Sequence, residues 1–325
     1  MALRDCSWAS AIGRDCFGLW CEIELDPGQG EPIVQRLRWI PPGRFWMGSP
    51  EEETRGLAKN ENEREWFDAE HPRHLVTLTE GYWLFDTPCT QALWKAVMGK
   101  NPSRFQSPNR PVEQVSWYDV QDFLTQLNAR IPDLHLTLPS EAQWEYACRA
   151  GTETALYTGD LEILGEHNAP ALDPIAWYGG NSGIEFELDN GYDSSSWPDK
   201  QYSYIHAGTH PVKRKRANSW GLYDLLGNVW EWCQDPWHAD YQGAPNDGSV
   251  WEDRDADAAR VLRGGSWIYH ARSVRAACRY HDRPDYRLDH LGFRCARVRG
   301  EPGQSAGRSD GPAREGRSKK TKRKK

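Results

Sequence analysis

After Gly151 the chain loses its hydrophobic period. Residues 152–219 form a Gly-, Asn- and Ser-rich stretch with neither the 3.6-residue repeat of a helix nor the alternation of a strand. A chain that must bury such a stretch without regular elements needs large side chains to brace its loops. The composition supplies them: 17 Trp, beside 29 Gly and 21 Pro, with only 38% hydrophobic residues in 325. Together these predict an irregular α+β fold, loop-rich and held by aromatic anchors, without long helices.

Regular elements are expected before that point. Residues 17–40 predict two strands around "DPGQGEP", and "HLVTLTEGYWLF" alternates like a half-buried strand. Three short helices follow. "TPCTQALWKAVMG" offers Thr87 as N-cap, Pro88 at the first helical position and Gly99 as the stop. "SWYDVQDFLTQLNAR" places Val120, Phe123, Leu124 and Leu127 on one face. "SEAQWEYACRAG" opens with the capping-box spacing of Ser140 and Gln143 and stops at Gly151. In "HLGFRCARV", Leu291, Phe293 and Cys295 share one strand face, with Arg297 ending the stripe.

Charge divides the chain. Residues 301–325 hold nine Lys and Arg against three acidic residues, while residues 1–300 hold 31 against 44, so a tail of +6 follows a body of −13. An acidic body argues against nucleic-acid binding by the folded domain. The tail, without large apolar residues, is expected to be disordered, a solubilising extension or a contact for nucleic acid or anionic surfaces. The first residues lack the apolar core of a signal peptide, no run has membrane-spanning length, and the eight cysteines are scattered; these features predict a cytoplasmic protein with reduced thiols.

Six phrases then occur in order: "RWIPPGRFWMGS", "PVEQVSWYDVQDFL", "LTLPSEAQWEYACRAGT", "WGLYDLLGNVWEWCQD", "VLRGGSW" and "LGFRCAR". Over residues 36–298 they resemble the formylglycine-generating-enzyme, or sulfatase-modifying factor, family. The resemblance implies an irregular C-type lectin-like fold. It divides the chain into an N-terminal segment with a strand pair (1–35), the family domain (36–298) and the basic tail (299–325). The family includes copper oxidases, nonheme iron enzymes and binding proteins, so the residues must decide between them.

The copper oxidases of the family hold the metal on two cysteines between "GGSW" and "GFR". Counted back from Pro284, the matching positions are Ala271 and Ala276, which ligate nothing; this speaks against a copper enzyme. The family also uses "GNVWEW" to hold a structural calcium. Asn228 and Glu231 match its side-chain ligands, and the alternative is that Asn228 caps a turn and Glu231 forms an ion pair. Cys278 with His281 makes only two ligands, and the pairs His206/His210 and His71/His74 sit in loop-like sequence.

One segment stands apart. In residues 264–298 a framework of glycines, Trp267, arginines, Pro284 and "GFR" is interleaved with Ile268, Tyr269, His270, Ser273, Cys278, Tyr280, His281, Asp282, Asp285, Tyr286, Leu288, Asp289 and His290. Each interleaved residue is reachable from an Asn codon by changing only its adenines. Met, Trp, Lys, Gln and Glu are not, and none of them occurs from Ile268 to Val298. This resembles the variable segment of lectin-like variable proteins diversified by retroelements. Tyr, His and Asp on loops locked by arginine make a ligand-reading surface, with a protein as the expected ligand. A rearranged metal-dependent oxidoreductase and ordinary polar loops are the alternatives.

Overall fold

A computed structural model describes residues 6–298 apart from 29, 254 and 256, so the basic tail predicted for 299–325 lies outside the described residues. The first sheet has five strands in the order β1 (Ala11–Asp15), β2 (Gly18–Leu25), β3 (Ile33–Ile40), β6 (Tyr82–Phe85) and β13 (Ala296–Arg297), each antiparallel to its neighbour. The strand pair of the N-terminal segment is therefore continuous with strands from both ends of the family domain. Between them β4 (Gly43–Met47) pairs with β5 (His74–Leu78). The segment "HLVTLTEGYWLF" thus divides into two strands of different sheets, broken at residues 79–81, and the second, β6, is buried along its whole length.

Helices α1 (Glu51–Thr54) and α2 (Glu61–Asp68) precede α3 (Gln91–Met98), α4 (Trp117–Arg130) and α5 (Glu141–Arg149). On α4 the predicted apolar face is buried, under a capping box of Ser116 and Asp119. The capping box of Ser140 and Gln143 opens α5. The start of α3 differs from expectation: its N-cap is Thr90, not Thr87. Cys89 is held by tertiary pairing, donating to the Phe293 carbonyl (2.8 Å) and accepting from the Val112 N–H (2.8 Å), so the chain stays extended until Thr90. Trp94 of α3 stacks on Phe123 of α4, and Phe293 meets both edge-on.

Residues 152–219 are loop except for a single 3-10 turn and the two-residue strands β7 (Tyr192–Asp193) and β8 (His206–Ala207). The second sheet runs β11 (Arg279–Asp282), β10 (Arg260–Arg263), β9 (Trp230–Pro236), β12 (Leu291–Gly292), with β12 parallel to β9. The predicted last strand is broken into β12 and β13, yet its alternation holds: Leu291, Phe293 and Cys295 enter one core and Ala296 the other. Arg297 does not end the buried stripe. Its guanidinium lies over Trp8 and donates to the Asp133 carbonyl (3.2 Å), so the stem continues the burial.

The two cores lie on either side of this strand. One gathers β2, β3, α3 and α4; the other surrounds α5, whose nine residues are all buried, charged ones included. Those charges explain how arginine locks the C-terminal segment. Arg263 donates to Glu145, to Glu141 (3.3 Å) and to the carbonyls of Ala276 (2.7 Å) and Ala277 (2.9 Å). Arg275 grips Glu70 through two nitrogens and Glu53 through one, and Arg279 grips Glu141 in the same forked way (2.6 and 2.9 Å). A buried guanidinium is tolerated where carboxylates and carbonyls meet its donors.

Candidate functional site

The interleaved residues of 264–298 do not form one surface. Their largest group is an aromatic ledge on the edge strand β11. Successive residues of a strand point to opposite faces, so Arg279 turns inward and Tyr280 outward. Tyr280 lies over Trp230, with ring centroids 5.7 Å apart, and Tyr269 meets the same indole edge-on at 5.3 Å. His290 packs on Tyr269 (5.6 Å), and His281 packs on Trp237 (4.4 Å). Tyr280 and His281 are exposed, and Tyr269, Asp282 and His290 half-buried. Burial pushes the Asp282 carboxyl up and the His281 imidazole down from their ordinary values.

Beside the ledge a cleft of about 1230 Å³ opens between β11 and the α1–α2 region, lined among others by Trp66, Arg73, Trp237, Tyr280 and His281. Trp66 is 57% exposed, an unusual display for an indole. Nothing in the sequence pattern singled out Trp66 or Trp237; they lie far from the segment in the chain and reach it through the fold.

A second group lies on the following loop. Asp285, Tyr286 and Leu288 are exposed; Arg283 pairs with Asp285 (3.0 Å) and sits over the Tyr286 ring. Asp289 is half-buried. Burial pushes its carboxyl up, but His290 and Arg104 (2.7 Å) outweigh that and hold it low. Its carbonyl accepts from the Trp267 indole (2.9 Å), which ties this loop to the framework.

The other predicted residues go elsewhere. Cys278 is a correction: it is buried in the first core, not displayed. Burial pushes its thiol up to about 12, so it stays protonated near neutrality and is no redox nucleophile. Ile268 packs, half-buried, against a small satellite core of Phe105, Ala207 and Trp267. His270 precedes a 3-10 turn that Ser273 ends, with His270 against Glu166 (3.0 Å) and His167. Ala271 and Ala276, matched by counting to copper-ligand positions, are wholly buried in the second core.

At "GNVWEW" the geometry is that of the turn and ion pair. Asn228 has a left-handed backbone (φ 62°); its Oδ1 accepts from the His210 N–H (3.0 Å) and its Nδ2 donates to the His210 carbonyl (3.1 Å) and Asp224 (3.2 Å). Both oxygens of Glu231 accept from Arg294 (2.7 Å each), and Oε2 also from the Trp144 indole (2.7 Å). Arg294 already neutralises Glu231, so a calcium ion here would have to share that carboxylate with a guanidinium.

Comparison with known proteins places this geometry. Residues 27–299 match the sulfatase-modifying factor enzyme 1-like domain. The chain belongs to that family. The formylglycine-generating enzyme of Thermomonospora curvata is 35% identical over 213 residues, 63% of this chain and 61% of that enzyme, so the match leaves more than a third of the relative uncovered. Among solved structures, Treponema denticola variable protein 1 superposes with a TM-score of 0.60 at 27% identity, over 85% of this chain and 98% of that one. PvdO from Pseudomonas aeruginosa reaches 0.63 over 89% and 98%, at 24% identity, a likeness of fold alone. The expected loop-rich, lectin-like α+β fold stands on these likenesses. Among the described residues no helix is long and apolar enough to cross a membrane.

Proposed function

We propose that this family member is a ligand-binding protein whose C-terminal segment reads a protein ligand. The observation that carries the reading is the sorting of side chains along 264–298. Arg275, Arg279 and Arg294 are buried and engaged with carboxylates and carbonyls, as is Arg263 just ahead of the segment, while Tyr280, His281, Asp285, Tyr286 and Leu288 face outward. A backbone fixed by its own anchors displays side chains that the fold does not need, as a paratope does. Tyrosines add contact area at small entropic cost, and Trp66 and Trp237 extend the apolar patch into the cleft. The likeness to a variable protein supports the same reading. An oxidoreductase working through a thiolate of this segment would need Cys278, which is buried in the first core.

The test is a paired series. Tyr286→Ala should cost about 0.5 kcal/mol or less in folding stability, and Tyr280→Ala and His281→Ala, which each lose a ring contact, roughly 0.5–1.5 kcal/mol. Trp267→Ala, wholly buried, should cost roughly 3–5 kcal/mol. Peptides selected from a displayed random library on the full chain should lose at least about tenfold in affinity against Tyr280→Ala or Tyr286→Ala. Selected peptides indifferent to all three exposed substitutions would overturn the proposal.

A further inference from the structure

His270 turns away from the aromatic ledge toward two residues that sequence reasoning passed over. Glu166 and His167 lie in the long loop after α5, and "GEHN" carries no pattern that marks them. The fold brings them to His270 through the backbone: the Ala271 N–H donates to the Glu166 carbonyl (3.0 Å), and the Gln201 N–H to that of His167 (2.9 Å). One ligand atom from each of the three side chains lies within 4.8 Å of the others.

We propose that Glu166, His167 and His270 form a binding site for a divalent transition ion of the zinc class, with at least one coordination position left open. Two imidazoles and a carboxylate are the donor set of open zinc sites. The second shell is in place. His167 Nδ1 lies 2.9 Å from the Pro198 carbonyl, and a proton shared there leaves Nε2 as the lone-pair nitrogen. Its ring is buried and stacked on Trp197, which fixes its direction. Bonds of about 2.0–2.1 Å in a tetrahedron set ligand atoms about 3.3 Å apart. Glu166 and His270, at 3.0 Å and partly exposed, already stand near that spacing.

One cation already competes for this place. Lys59, 57% exposed, puts its ammonium on Glu166. An exposed lysine is easily displaced, and its pairing means that the carboxylate is charged and pointed outward when the ion arrives. The open position would take water or a carboxylate or imidazole from a partner. This site does not depend on the ledge being a binding surface.

The experiment is a calorimetric titration of the metal-free full chain with Zn2+, paired with Co2+ absorption in the visible. The expected result is saturable one-to-one binding, a tetrahedral cobalt spectrum, and affinity at least about tenfold weaker in His270→Ala and Glu166→Gln. Lys59→Ala, which removes only the competitor, should tighten binding by roughly two- to tenfold. Both ligand variants alter partly exposed side chains, and melting curves check that they fold. No saturable binding, or affinity unchanged in both ligand variants, overturns the proposal.

Discussion

Removing Arg294 tests whether guanidinium anchoring holds this fold. The side chain is fully buried and makes four bonds: two to Glu231 (2.7 Å each), one to the Phe85 carbonyl (3.2 Å) and one to that of Tyr223 (2.9 Å). Arg294→Met keeps much of the stem but leaves Glu231 with a single donor, the Trp144 indole. Breaking a buried pair in this way costs about 3–5 kcal/mol, because the stranded charge stays desolvated. At roughly 2–4 °C per kcal/mol, the melting temperature should fall by roughly 6–20 °C. Urea unfolding of wild type, Arg294→Met, Glu231→Gln and the double variant closes a thermodynamic cycle. The double variant should be less damaged than the two single losses summed, since removing both charges leaves no stranded ion. A loss under about 1 kcal/mol in Arg294→Met, or strict additivity in the cycle, refutes the reasoning.

Two further outcomes follow from burial. The Glu113 carboxyl, one oxygen of which lacks a partner, is pushed up by burial to about 8, against a smaller downward pull from the Phe105 and Arg104 N–H groups. The folded state then keeps a proton that the unfolded chain releases, so stability should decline as pH rises from about 4.5 to about 8, by a few kcal/mol at most. Glu113→Gln should flatten that decline in a pH series of urea melts; an unchanged slope would contradict it. Among the eight cysteines only Cys16 is exposed. A disulfide reagent at pH 8 should meet one fast thiol, lost in Cys16→Ser, and rapid labelling of Cys278 would show that its burial is wrong.

Local rules succeeded where local chemistry decides. Ser140 caps its helix as the spacing predicted, because a side-chain oxygen and an N–H three residues on suffice. Thr87 failed as a cap because Cys89 is claimed by Phe293, about two hundred residues away in the chain. The display of Tyr280, His281, Asp285, Tyr286 and Leu288 was legible from residue type in the C-terminal segment. Cys278 was not, since a thiol among polar neighbours gives no sign of facing a core. Glu166, His167, Trp66 and Trp237 were invisible as site residues for a simpler reason: only tertiary proximity connects them to His270 and Tyr280.

The arginine anchors also set the order of assembly. Glu53, Glu70, Glu141 and Glu231 are all made before the guanidiniums of Arg263, Arg275, Arg279 and Arg294 that neutralise them. A nascent chain that stops short of Arg263 would have to bury those carboxylates alone, a cost no compact intermediate can sustain. Folding of the second core should therefore wait until residues 263–294 have been made, and the ladder of long-range closures should make it slow. Until then the exposed tryptophans and unfinished sheet edges are open to aggregation, which makes the arrival of these arginines, rather than any early helix, the event that commits this fold.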